Sequence, residues 1–113
     1  MHEMSLCEGV VQLIEEQATV QQFTSVKTVR LEIGALAGVE TEAMRFSFDA
    51  VARGTIADGA RLEIIDIAGR ATCPACTRTV DICARFDGCP ACGHYPLELI
   101  AGDEMRIKEL EVQ

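Results

Sequence analysis

Two short segments carry the strongest chemical signal in this 113-residue chain: Cys73-Pro74-Ala75-Cys76 and Cys89-Pro90-Ala91-Cys92, separated by 12 residues. A C-x-x-C turn aims two thiolates and several backbone N–H groups at one point. Two such turns brought together make a tetrahedral sulfur site that suits Zn²⁺. Proline stiffens each turn, and Gly93 supplies the positive φ that such a knuckle needs. Cys73, Cys76, Cys89 and Cys92 are therefore the expected ligands of a structural Zn(II), whose closed shell leaves no position for catalysis. A rubredoxin-like iron tetrathiolate would want more aromatic or apolar packing than these residues offer. A thioredoxin-type redox motif would want a single C-x-x-C opening a helix. Of the two remaining thiols, Cys83 is expected as a buried or half-buried residue of the ribbon's hairpin and Cys7 as a core residue. His94 has three readings: a solvated turn residue, a group polarising a zinc thiolate, or an alternative ligand.

The second constellation is at the N-terminus. The bulky His2 should protect Met1 from removal and leave a free α-amine. The Met1 amine, the His2 backbone nitrogen and the His2 imidazole then fall within one small chelate, and the Glu3 backbone nitrogen can close a four-nitrogen plane. Square-planar nitrogen donation selects Ni(II) or Cu(II) over Zn²⁺. A carboxylate from Glu3 or Glu40 could add an axial oxygen.

Composition narrows the setting. Lys plus Arg number 10 against 18 Asp plus Glu, a net charge of -8, and no basic cluster offsets it. Such a chain repels phosphate backbones, so nucleic acid is excluded as a partner. With 49% hydrophobic and 25% charged residues, the composition is that of a globular domain. The apolar runs fall far short of the roughly 20 residues a membrane helix needs. The first residues carry Glu3, Glu8, Glu15 and Glu16 and no basic stretch, so no signal peptide is read there. Six cysteines without such a signal imply a reducing, cytoplasmic setting and metal chemistry, not disulfides.

The elements that must position these donors follow from periodicity. Ser5-Leu6-Cys7-Glu8 has the capping-box form, which starts a helix at Ser5 and leaves residues 1–4 at or outside it. Leu6, Val10, Leu13, Ile14 and Ala18 make its apolar stripe. Residues 26–33 alternate as a half-buried strand with Val29, Leu31 and Ile33 inward. A second helix is predicted over 41–53, with Met44, Phe48 and Val51 on one side and Gly54 as its stop. Leu62, Ile64 and Ile67 read as a second strand, and Met105–Val112 as a third whose alternation breaks near Lys108 and Glu109, as a bulge would do. Residues 70–96 hold five of the six cysteines and all three prolines. A module of about 27 residues is too small to fold without a metal, a disulfide or a partner. The expected fold is α+β: two helices on a small mixed three-stranded sheet, with an inserted zinc-ribbon module. Residues 1–68 plus 98–113 would form the main domain, and 69–97 the ribbon.

These residues resemble those of a known family. Met1-His2-Glu3 opening a short helix, the Ile33-Gly34-Ala35-Leu36 strand end, the Val39-Glu40 pair and the paired C-P-x-C knuckles are similar to the HypA/HybF hydrogenase maturation proteins. The resemblance runs the whole length of the chain. It implies a nickel-binding α/β domain joined to a structural zinc ribbon, a cytosolic HypB-type GTPase as partner, and the nickel-iron hydrogenase large-subunit precursor as recipient. It also implies that Ni(II) is held transiently by Met1, His2 and Glu3, with Glu40 a weaker transfer, and Zn(II) by the four knuckle cysteines. His94 falls one residue later than the His that follows the last cysteine in many members. Nothing here forms a catalytic triad, a P-loop or a paired-carboxylate site, so no catalytic turnover is expected. A monomer or weak homodimer is expected. The alternative reading is a zinc-ribbon interaction module without a labile metal.

Overall fold

The computed structural model describes residues 2–113. The order of elements is α1 (His2–Gln21), β1 (Val26–Gly34), α2 (Thr41–Ala52), β2 (Arg61–Ile67), β3 (Gly69–Thr72), β4 (Thr79–Ile82), β5 (Glu98–Ala101) and β6 (Met105–Val112). The expected α+β architecture is present, with two helices, a three-stranded mixed sheet and a separate cysteine-bearing module.

Helix α1 starts three residues earlier than its capping box implies. Ser5 lies inside the helix and is exposed, so the Ser5–Glu8 box does not cap. Glu3 stands instead in the first turn, where a carboxylate favours the positive end of the helix dipole. The buried stripe is also rotated from the expected one, to Cys7, Val10, Val11 and Ile14, while Leu13 is 52% exposed. Tertiary packing decides this. The Cys7 thiol lies 3.5 Å from the Met44 carbonyl and 3.8 Å from its sulfur, so the face that meets α2 is centred on Cys7, not Leu6.

Helix α2 carries a cap of its own. Glu40 is its N-cap in extended conformation, and its carboxylate accepts from the N–H groups of Glu42 (3.2 Å) and Ala43 (2.9 Å). Met44, Ser47, Phe48 and Ala52 are buried, and Val51 is half-buried. Gly54, at φ +79°, ends the helix in the left-handed conformation expected of it.

In the main sheet the order is β2-β1-β6. The Val26 N–H bonds to the Ile56 carbonyl and the Ala35 N–H to that of Ile67, so β1 and β2 run parallel. The Ser25–Gln113 and Gly34–Glu104 bonds make β1 and β6 antiparallel. Val29, Leu31 and Ile33 are buried as expected, but so is Thr28 on the opposite face. Along β6, Ile107, Leu110 and Val112 line one groove with Leu13 and Phe23, whereas Glu109 and Glu111 reach Arg30. The alternation therefore slips by one residue between Ile107 and Leu110, where its break was expected.

A second sheet, β4-β3-β5, is antiparallel throughout. Leu36, Ala71 and Ile82 form its small core, with Val80, Leu97 and Leu99 packed against them. Backbone approach is close here: a Cβ on Gly69 would come within 2.7 Å of the Ile82 carbonyl oxygen and 2.8 Å of the Leu36 side chain.

The chain divides into two compact units. One holds the residues up to Leu31, Val39–Ile64 and Ile107–Gln113; the other holds Glu32–Gly38 and Ile65–Arg106. The cysteine-bearing unit takes in more chain than the 69–97 stretch, because β5 pairs with β3 and Leu36 packs on Ala71 and Ile82.

Candidate metal centres

The two knuckles are built alike. In the first, the Thr77 N–H donates to the Cys73 carbonyl (2.8 Å), and the Cys73 N–H to the Arg78 carbonyl (2.9 Å). In the second, at the same spacing, Gly93 N–H donates to the Cys89 carbonyl (2.7 Å), and Cys89 N–H to that of His94 (2.8 Å). The fifth residue of each turn is left-handed: Gly93 at φ +80°, and Thr77 at +63°. The glycine was readable in advance. Thr77 was not, since nothing marks a β-branched residue for that conformation.

These turns bring all four sulfurs within 4.8 Å of one another. Cys73 and Cys92 are 3.6 Å apart, and Cys76 and Cys89 are 3.8 Å apart. A tetrahedral Zn²⁺ with Zn–S bonds of about 2.3 Å spaces its sulfurs by about 3.8 Å, so the cluster fits that ion. A disulfide needs about 2.05 Å, and no pair is near it. The Cys76 N–H points at the Cys73 sulfur (3.5 Å), the usual support for a thiolate.

Without a cation, four crowded thiols share protons unequally. Burial raises Cys89, but the N–H groups of Cys92 and Ala91 and the neighbouring thiols outweigh it and hold it near about 7. At Cys92 the His94 N–H pulls downward, yet the sulfur of Cys73, burial, and the sulfurs of Cys89 and Cys76 push it up to about 12. A divalent cation relieves this conflict by letting all four ionise together.

The other candidates separate cleanly. Cys83 is exposed, contrary to the expected buried or half-buried position, because the Asp87 carboxylate takes the N–H groups of Cys83 and Ala84 (3.0 Å each) and turns the chain outward. Cys7 is fully buried as expected, and desolvation pushes its thiol up to about 11, which makes it inert. His94 is exposed, and it is its backbone that serves the second knuckle.

At the start of α1, the structure brings His2, Glu3 and Glu40 together. The Glu3 carboxylate accepts the Glu40 N–H at 3.1 Å, and the His2 Nδ1 lies 3.9 Å from the same oxygen. That bond to the Glu40 amide is the main reason the Glu3 carboxyl is held below its usual range. His2 is exposed, with 59% of its side chain accessible, while that of Glu3 is 15% accessible. The Glu40 carboxylate is turned into α2 as its cap. That capping role was missed in the sequence, since Glu is not among the favoured N-cap residues. Met1, the remaining expected donor, lies outside the described residues.

A zinc-ribbon-like four-cysteine module beside a two-helix mixed-sheet unit defines a small two-module metal-binding protein. Comparison with known proteins gives the family. A family model described as "Hydrogenase/urease nickel incorporation, metallochaperone, hypA" matches residues 1–112. Curated relatives include the hydrogenase maturation factor HypA of Alkalilimnicola ehrlichii, 60% identical over 112 residues (99% of each chain). That of Azotobacter vinelandii is 56% identical over 113 residues, covering both chains fully. Among solved structures, the Ni metallochaperone HypA from Helicobacter pylori shares the fold at a TM-score of 0.71 and 23% identity, over 97% of this chain and 96% of that one. The chain belongs to the HypA family of nickel-incorporation metallochaperones.

Proposed function

We propose that this protein binds Ni(II) at its N-terminus and delivers it to a nickel-iron hydrogenase large-subunit precursor, while a Zn(II) held by Cys73, Cys76, Cys89 and Cys92 fixes the ribbon. The observation that carries the nickel site is the start of α1 at His2. The first four N–H groups of a helix have no partner within it, so the backbone nitrogens of His2 and Glu3 can be given to a metal without breaking a helical bond. With the Met1 amine and the exposed His2 imidazole they complete four nitrogen donors, the set that selects Ni(II) or Cu(II). The carboxylates of Glu3 and Glu40 are the nearest axial oxygens, Glu40 at the expense of its cap. Few donors on an exposed turn suit a cargo that must be released.

A HypB-type GTPase is the proposed partner in delivery, because no nucleotide-binding motif occurs in this chain. The proposed setting is cytoplasmic, in keeping with free cysteines; no helix among the described residues is long and apolar enough to cross a membrane. Metal analysis of untagged protein after nickel addition tests the reading. It predicts one zinc and one nickel per chain, with His2→Ala losing the nickel alone. Zinc without nickel in the native protein would favour an interaction module with no labile metal.

A further inference from the structure

Of the five aromatic residues, three are largely outside any core: Phe46 (76% exposed), Phe86 (80%) and Tyr95 (51%). Phe86 and Tyr95 belong to the cysteine-bearing unit and leave the chain from neighbouring segments. The turn that carries Phe86 is fixed: besides the two bonds to the Asp87 carboxylate, the Asp87 N–H donates to the Ala84 carbonyl (3.1 Å). Gly88 then passes so close to the Gly93 and His94 carbonyls that a Cβ there would meet them at 3.2 and 3.5 Å. Tyr95 follows directly. Arg85, beside Phe86, is exposed and forms no ion pair among the described residues.

Charge sets this region apart. Residues 69–97 carry three arginines against two aspartates, and Arg70 already pairs with Asp81 at 3.2 Å. The rest of the chain carries seven cations against sixteen carboxylates. Exposed aromatics next to arginine, on a turn ordered before binding, are the composition of an interface hot spot. An acceptor that awaits a divalent cation presents donors whose negative charge is not yet compensated. The acidic remainder of this chain is repelled there, and the region around Arg85 is not.

We propose that Arg85, Phe86 and Tyr95 form the surface that docks on the protein receiving the nickel, filling an apolar socket bordered by acidic groups. The proposal rests on the nickel-delivery reading. Its test uses full-length, nickel- and zinc-loaded protein titrated against the purified hydrogenase large-subunit precursor. Phe86→Ala should weaken binding by about tenfold or more, because the ring is otherwise unsupported by contacts within the chain. Arg85→Glu should slow association several-fold, and the native on-rate should fall as salt rises. Phe46→Ala, the exposed aromatic of the other unit, should bind within about twofold of native. Metal content, assayed in parallel, should be the same in all four proteins. Phe86→Ala and Arg85→Glu proteins that bind as the native one does would overturn the docking surface, as would a native protein that ignores the precursor. A native protein that takes up no nickel would instead overturn the delivery reading.

Discussion

The four-cysteine cluster and the first turn of α1 hold their donors in opposite ways. In the cluster, two rigid turns with matching hydrogen bonds hold four sulfurs at tetrahedral spacing, two of them on buried cysteines. At the start of α1, His2 is exposed and its neighbours are held lightly, through one bond between the Glu3 carboxylate and the Glu40 N–H. One arrangement suits a metal that stays, and the other a metal that leaves. The contrast shows how one small chain can handle two divalent ions without confusing them: sulfur donors in a closed shell against nitrogen donors on a helix end.

The largest effect should come from opening the closed site. Cys76→Ser or Cys92→Ser removes a thiolate from a centre whose binding contributes on the order of 10–16 kcal/mol in zinc modules. The small core of Leu36, Ala71 and Ile82 cannot replace that. Hydrogen exchange should report loss of protection in β3, β4 and β5, with zinc released, while α1 and α2 remain protected. Uniform loss across the chain would show that the two units do not fold separately. Cys83→Ser, by contrast, should keep one zinc per chain, and loss of zinc there would make Cys83 a ligand.

That contrast also explains what could be read from the chain alone. The knuckles were legible because each is four residues long, each occurs twice, and the ligand chemistry is fixed by residue type. The start of α1 was not, because a local capping signal at Ser5 competed with packing of Cys7 on Met44, 37 positions away, and packing won. β5 escaped notice because a four-residue strand has too little alternation to stand out; only its pairing with β3 defines it. Glu40 was placed near the site correctly, yet its carboxylate serves α2 first.

A second effect should be confined to the helical unit. Met44 is fully buried beneath Cys7, so Met44→Ala should lower stability by about 2–5 kcal/mol. Denaturant unfolding would measure this, and zinc content should not change. Acid should then separate the sites by order of loss. Nickel should leave as pH falls through about 8 to 6, where free amines and imidazoles take up protons. Below that, the helical unit should lose stability. Thr28 donates a hydrogen bond to Glu111 and Arg30 lies beside it, so the Glu111 carboxyl is held below its usual value. Its contribution is complete above the ordinary carboxylate range and disappears as pH falls through the lowered value. In Glu111→Gln protein the acid limb of a melting-temperature profile should be shallower, and an identical limb would remove Glu111 from the account. The smallest effect should come from Glu15→Lys with Glu16→Lys, on the exposed side of α1. That pair should slow association with the GTPase at low salt and leave nickel affinity nearly unchanged.

The central claim is that nickel is held by the chain's first nitrogens and not by side chains alone. A nickel titration of native protein, of protein with one residue added before Met1, and of His2→Ala, with zinc assayed in each, tests it most directly. The added residue turns the Met1 amine into an amide and moves His2 out of the chelate, although the imidazole is still present. The account predicts that extension weakens nickel binding about as severely as His2→Ala, with zinc constant throughout. An extended protein that binds nickel as tightly as the native one would contradict it.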